Sequence, residues 1–291
     1  MLAFDIVLSG LILGGTYALI AIGLTLQYGV ARIMNLAYGE LLVAAAFGAY
    51  WLYTANAVSP IAGLVVIVPA AFAINWLIYT LLLTPLVRRA KSRDALEADS
   101  ILATFGMLFV VQGTLLVLFG GQYYSDRYLQ SAVVILGDRV EANKLVTAAF
   151  AIVVSVGLYL GLTHTRAGTA VRAVAVAPGS ARLVGIDVQR TSAFAFALGG
   201  ALSAAGGVLV SMSLLFSASS GVLFTMKALI VVIMGGAGNL LGALVAGLIL
   251  GIAEIAVARL IDPGLTIAIN FVLFLAVLLV RPAGLFGRPA A

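Results

Sequence analysis

The sequence predicts an all-α integral membrane protein, a polytopic helical bundle of eight or nine transmembrane segments with one basic helical loop on its cytoplasmic side. Three observations predict it. Of the 291 residues, 63% are hydrophobic and 9% charged, whereas a soluble domain carries about 25% charged residues. The deficit runs the whole length as successive apolar blocks, with a mean hydropathy of +1.19, so lipid is the solvent of most of the chain. The basic residues are also unevenly shared. With the two basic loops placed in the cytoplasm, eleven of the sixteen Lys and Arg fall inside and five outside or near that face, the bias the positive-inside rule requires. This sets the N-terminus outside and the C-terminus inside.

The first span covers about 6–28. It begins with Asp5 and no basic residue, so it lacks the positive leading region of a cleavable signal peptide. Gly10, Gly14, Gly15 and Gly23 lie along it; small residues let helices approach closely in lipid. Gln27, Arg32, Asn35, Tyr38 and Glu40 follow with almost no true loop. Polar groups near membrane depth line cavities, pair with each other or snorkel to the interface. The stretch therefore reads either as a broken segment lining a pathway or as a tight interfacial turn, with Arg32 and Glu40 a candidate ion pair.

A second span, about 41–53, ends in Trp51, Leu52 and Tyr53, as interfacial aromatic belts do. Ser59-Pro60 turns the chain into a third span, about 61–83. Residues 87–100 carry four basic residues and three acids and read as a solvated cytoplasmic loop. A fourth span, about 101–119, leads to an extracytoplasmic excursion whose apolar run, 132–136, forms a strand or an interfacial helix. The fifth span is about 145–162. Beyond the central loop come a sixth span, about 191–215, and an apolar stretch, 222–260, too long for one crossing. The glycines within Gly235–Asn239 weaken helix strongly, so this stretch divides into two short spans meeting at a turn. The last span, about 265–280, ends at Arg281-Pro282.

The central loop, 162–190, carries Arg166, Arg172, Arg182 and Arg190 against one acid, Asp187. Its pattern predicts two short helices. The first covers Thr169 to Ala177; the second starts with Pro178 and stops at Gly185, which supplies a left-handed C-terminal cap before Ile186. Such a loop is a docking knob for a soluble partner, or simply a solvated loop obeying the positive-inside rule.

Several chemistries are set aside. The chain has no cysteine and one histidine, His164, which excludes disulfides and thiolate catalysis and argues against a metal site. No catalytic residue, metal ligand or cofactor site is expected. No glycine cluster ends in the Lys-Ser/Thr of a phosphate-binding loop, and no basic run interleaved with aromatics suits nucleic acid. Glu40 and Glu254 are the acids placed for a proton relay. A Glu254 beside Arg259, or one facing its bundle neighbours, explains that position equally well.

Three stretches carry a resemblance: Gly14 to Glu40 (GGTYALIAIGLTLQYGVARIMNLAYGE), the central TRAGTAVRAVAVAPGSARLVGID, and Met234 to Glu254 (MGGAGNLLGALVAGLILGIAE). In order and over most of the chain, they resemble the permeases of the branched-chain amino acid ABC transporter family, the shorter of its two homologous subunits. Tyr38 stands where many relatives have His, and the tail after Arg281 is short. The resemblance implies one permease domain over 1–291, with a coupling-helix loop at 163–190 in which Arg166, Gly168, Arg172, Arg182, Gly185 and Ile186 meet an ATPase. It implies a non-catalytic subunit of the inner membrane, assembled with a second homologous permease (or a second copy), two ATPase subunits and an extracytoplasmic solute-binding protein. The solute is a branched-chain amino acid or a relative such as urea, an amide or an aromatic acid. Thr16, Tyr17, Gln27, Asn35, Tyr38 and Glu40 are the residues expected along the pathway. The competing expectation is an ion- or proton-coupled carrier working alone.

Overall fold

The computed structural model describes residues 2–90, 92–126, 128–129, 131–135 and 138–287. Twelve α-helices are present among them: α1 (Leu2–Leu26), α2 (Tyr38–Asn56), α3 (Pro60–Ile78), α4 (Thr84–Arg89), α5 (Arg93–Phe119), α6 (Ala142–His164), α7 (Arg166–Val176), α8 (Pro178–Leu183), α9 (Val188–Ser213), α10 (Gly221–Gly235), α11 (Leu240–Leu260) and α12 (Thr266–Val280). The excursion after α5 holds one antiparallel hairpin, β1 (Ala132–Ile135) with β2 (Asp138–Glu141), Ala132 opposite Glu141. The strand alternative is the one the chain adopts there.

Seven stretches among the described residues are helical, long and apolar enough to cross a membrane: Asp5–Ala31, Pro60–Arg89, Ala95–Phe119, Ala142–His164, Val188–Ser213, Leu240–Leu260 and Pro263–Val280. α10 is apolar but shorter, and α2 is a 19-residue helix whose first turn is polar and buried. The protein is thus an all-α polytopic membrane protein. Val65, Val117 and Leu279 are 76–87% exposed on α3, α5 and α12, as lipid-facing side chains are.

α9 is the central post. Every residue from Gly199 to Met212 is buried, and α1, α2 and α3 pack on it. Its small residues set the spacing: a side chain at Gly207 would meet the Leu42 carbonyl of α2. α11 lies antiparallel along α1, with Gly14 backed on Gly251 and Asp5 paired with Arg259 at 3.3 Å.

One local expectation needs correction. Most of the stretch 87–100 is helical: α4 runs through Arg89, and Ser92 caps α5 by accepting the Ala95 amide at 3.1 Å. The Gly235–Asn239 turn forms as expected, with Gly236 and Gly238 at positive φ (99° and 86°) and Asn239 capping α11 through the Gly242 amide at 3.1 Å.

Candidate functional site

The expected site residues gather at two places, an elbow made of α7 and α8 and a break between α1 and α2. At the elbow, the first helix begins at Arg166 rather than Thr169. Thr165 is its N-cap, accepting the Gly168 amide at 3.0 Å, a bond that satisfies an otherwise orphan donor. Gly168 is buried against the backbone of Gly161 and Leu162, so α7 lies hard against the end of α6. Arg172 donates to the Thr163 carbonyl at 3.2 Å, closing the same corner.

α8 ends as its sequence requires. Gly185 sits at φ 81°, where an L side chain is strained. Its amide bonds the Arg182 carbonyl at 3.1 Å, and the Ile186 amide bonds Ala181 at 3.0 Å, the paired bonds of a Schellman stop. Ile186 packs on the main core. Asp187 then caps α9 through the Arg190 amide at 3.0 Å. Outside the elbow, Arg166 and Arg182 are exposed, as are three apolar side chains: Val176 at 77%, Leu183 at 89% and Val184 at 74%.

At the break, α1 loosens into a π-helical turn, Gln27–Ala31, and Arg32 takes a left-handed conformation at φ 58°. Residues 32–37 are not helical, and α2 begins inside the bundle. Ser203, about 22 Å along α9 from its start at 1.5 Å per residue, donates to the Tyr38 carbonyl at 3.2 Å. The Tyr38 hydroxyl donates to the Ile20 carbonyl at 2.6 Å. Gln27 donates to the Phe196 carbonyl at 3.0 Å; Asn35 donates to Gln27 at 3.0 Å and accepts the Ala37 amide at 3.1 Å. Gln27, Asn35, Tyr38 and Glu40 are each 0% exposed.

Arg32 and Glu40 do not pair. The intervening segment runs inward along α9, leaving Arg32 exposed at the elbow, where it donates to the Ala175 carbonyl of α7 at 3.2 Å. Glu40 lies buried beside the first turn of α10. Thr16 and Tyr17 stand apart from this group. Thr16 bonds its own helix at the Ile12 carbonyl, 3.3 Å. Tyr17 joins Lys227 and Glu254, which form an ion pair at 2.8 Å, with Asn270 donating to Glu254 at 3.1 Å. Glu254 therefore faces bundle neighbours, not Arg259. Lys227 points into the bundle.

Beyond the break toward the hairpin side, Phe47 stacks on Phe119 at 4.1 Å and meets Phe216 edge-on at 5.0 Å. Phe216 is held by paired backbone bonds to Tyr124, 2.8 and 3.1 Å. Phe47 lies about two turns along α2 from Glu40. Toward the elbow, a cavity of about 250 Å³ lined mainly by Leu24, Met34, Leu229, Val232 and Ile233 opens between α1 and α10. Phe216, Gly221 and Thr225 were not among the expected site residues, because an apolar or small residue far along the chain gives no sign of what it will face.

The family described as "Branched-chain amino acid transport system / permease component" matches residues 6–280. The high-affinity branched-chain amino acid transport system permease protein LivH of Escherichia coli K12 is 30% identical over 296 residues, covering 97% of this chain and 94% of that protein. BraD of Pseudomonas aeruginosa is 29% identical over 291 residues with the same coverage. The probable LivH of Methanocaldococcus jannaschii is 30% identical over 280 residues, covering 92% and 88%. Among solved structures, a chain of PsaBC from Streptococcus pneumoniae in complex with Fab is similar in fold, with a TM-score of 0.52 at 11% identity over 97% of this chain and 92% of that one.

Proposed function

The chain belongs to the branched-chain amino acid transport permease family, and from that premise we propose that it is the non-catalytic membrane subunit of an ATP-driven importer. The whole chain acts as one permease unit. A solute-binding protein delivers a branched-chain or other hydrophobic amino acid, or a small relative such as urea, an amide or an aromatic acid, to the outer face. A second homologous permease, or a second copy, completes the channel, and two ATPase subunits supply the work. The chain resides in the inner membrane with its N-terminus outside and its C-terminus in the cytoplasm.

The observation that carries this reading is the bond from Arg32 to the Ala175 carbonyl of α7. A permease that cannot bind ATP must receive work through a stiff contact. α7 and α8 are short helices fixed by a cap and a Schellman stop, and they present exposed arginines and the apolar Leu183 and Val184 to the cytoplasm. Arg166, Arg172 and Arg182 suit partner carboxylates and carbonyls. Displacing α7 pulls on Arg32 and hence on the break, where Gln27, Asn35, Tyr38 and Glu40 line the pathway. The acid best placed for a proton relay, Glu254, is already bonded to Lys227, Tyr17 and Asn270, which speaks for a packing role.

Reconstitution tests the reading. The chain with its ATPase, second permease and binding protein accumulates leucine in proteoliposomes only with ATP. Uphill uptake by this chain alone under an ion gradient would support the carrier alternative instead.

A further inference from the structure

Two adjoining cavities, of about 370 and 410 Å³, open at the elbow end of the bundle, between the last turns of the span Pro60–Arg89 and the start of α9. Thr80, Thr84, Arg88 and Gln189 line both, so the two form one groove. It is rich in hydrogen-bond donors and short of acceptors. Arg88, Arg89 and Arg190 bring three guanidinium groups against one carboxylate, Asp187. That carboxylate is engaged: it accepts the Arg190 amide at 3.0 Å and pairs with the Arg190 guanidinium at 3.3 Å. Arg88 donates instead to the side-chain oxygen of Gln189 at 3.2 Å. This neutral partner leaves the Gln189 NH2 group, two further donors, to the groove. An excess of positive charge with N–H donors from several side chains suits a phosphate group, whose oxygens guanidinium binds in pairs.

The other end of the groove is apolar. Trp76 lies about 18 Å from Arg88 along the span, at 1.5 Å per residue. It stacks with Phe72, ring centres 6.1 Å apart, and Phe72 meets Phe194 of α9 edge-on at 5.8 Å. Leu77 and Leu81, on the adjoining face of the same span, are 56% and 69% exposed, as lipid-facing side chains are. A free anion would use the polar end alone. An amphiphile with its phosphate at Arg88 and an acyl chain passing Trp76 and Leu81 uses both. Basic pockets between spans bind acidic lipid headgroups on these grounds. A choline headgroup carries its own cation, which the arginines repel.

We propose that this groove seats the phosphate of an acidic phospholipid from the elbow-side leaflet, held by Arg88, Arg89 and Gln189, with one acyl chain running past Trp76. The lipid ties the end of the span Pro60–Arg89 to the start of α9, the central post of the bundle. The site does not depend on which solute the bundle carries.

Tryptophan fluorescence tests it. The chain has two tryptophans, Trp51 and Trp76. Trp51 is 56% exposed near the end of α2, so Trp51→Phe leaves Trp76 as the single reporter at little cost to packing. The whole chain carrying that change is reconstituted in phosphatidylcholine bilayers containing a minor share of acyl-brominated lipid, either phosphatidylglycerol or phosphatidylcholine. Bromine quenches only at short range. The acidic lipid should quench Trp76 as if enriched beside it at least about tenfold over phosphatidylcholine, roughly 1.4 kcal/mol. Equal quenching by the two lipids overturns the proposal, whatever any further variant does.

Two controls separate this groove from general attraction to a basic surface. Arg88→Gln with Arg89→Gln should bring the enrichment back to near one. Arg166→Gln with Arg182→Gln removes two exposed charges from the same end of the molecule and should leave it in place. Equal loss in both pairs overturns the site. Inorganic phosphate at matched ionic strength should leave the enrichment unchanged; its displacement of the lipid would assign the groove to a free anion and overturn the lipid.

Discussion

Lys227 is the single charged residue of α10, and its fate shows how one side chain commits four helices to each other. It pairs with Glu254 of α11 at 2.8 Å, donates to Tyr17 of α1 and lies 4.6 Å from the centre of that ring, while Asn270 of α12 bonds the same carboxylate. Glu254 is buried and Lys227 partly buried; removing one partner of a fully buried pair costs about 3–5 kcal/mol and of this one less, whereas replacing both with apolar residues is often neutral. Lys227→Met and Glu254→Leu should each lower the thermal unfolding temperature of the purified protein, and the double variant should recover most of the loss. Equal, additive losses would show that the two residues act separately. Asp126, in the loop before the hairpin, offers a second test at this scale. It accepts a 2.5 Å bond from the Ser211 hydroxyl, and its other oxygen is buried without a partner. Burial pushes its carboxyl above the ordinary carboxylate value, the Ser211 bond pulling partly back. The folded loop therefore holds its proton more tightly than the unfolded chain, whose value is about 3.9. Its stability is full below that value and declines as pH rises through the raised folded value. Amide exchange at Tyr124 and Phe216 should speed up across that window, and Asp126→Asn should flatten the dependence.

Among the elements, the elbow is where local chemistry and proposed function coincide most closely. Gly185 at φ 81° holds the Schellman stop of α8, and a non-glycine residue there costs about 1–2 kcal/mol. That is enough to unravel a six-residue helix without disturbing the spans around it. Gly185→Leu should insert and assemble normally yet lose most ATP-driven leucine uptake, measured beside the intact complex in proteoliposomes. Normal uptake would detach the elbow from coupling. The elbow was legible because its determinants are local: Pro178 starts α8 and Gly185 ends it within one short stretch. α7 starts three residues ahead of the predicted Thr169 because Thr165 caps it through the Gly168 amide. At the break, five polar residues between apolar blocks disclosed an interruption, but hydropathy carries no information on how deep in the bundle a helix begins. Nor does it disclose partners. Arg32 and Glu40 look like a pair by spacing, yet each meets an element far along the chain, α7 for one and α10 for the other.

At the scale of the whole molecule, the question is which faces of the bundle look into which compartment, and the chain is well suited to answer it. Burial places α9 at the centre, and the spans leave the elbow and the β hairpin at opposite ends of α6, the single helix that joins them. The proposed orientation rests on charge: eleven of sixteen basic residues fall on the elbow side of the layout, the side the positive-inside rule would set in the cytoplasm. Because the sequence contains no cysteine, one introduced thiol is the only one present, and no background needs removing. Ser131, at the hairpin, and Ser180, in α8, are both exposed and polar, so Ser131→Cys and Ser180→Cys should leave packing unchanged. In intact cells or right-side-out vesicles, a membrane-impermeant maleimide should label Cys at 131 and spare 180; in inverted vesicles the pattern should exchange. Labelling of both from one side would mean that α6 does not cross. The reverse pattern would put the elbow outside, beyond the reach of any ATPase, and with it would go the coupling role of α7 and α8.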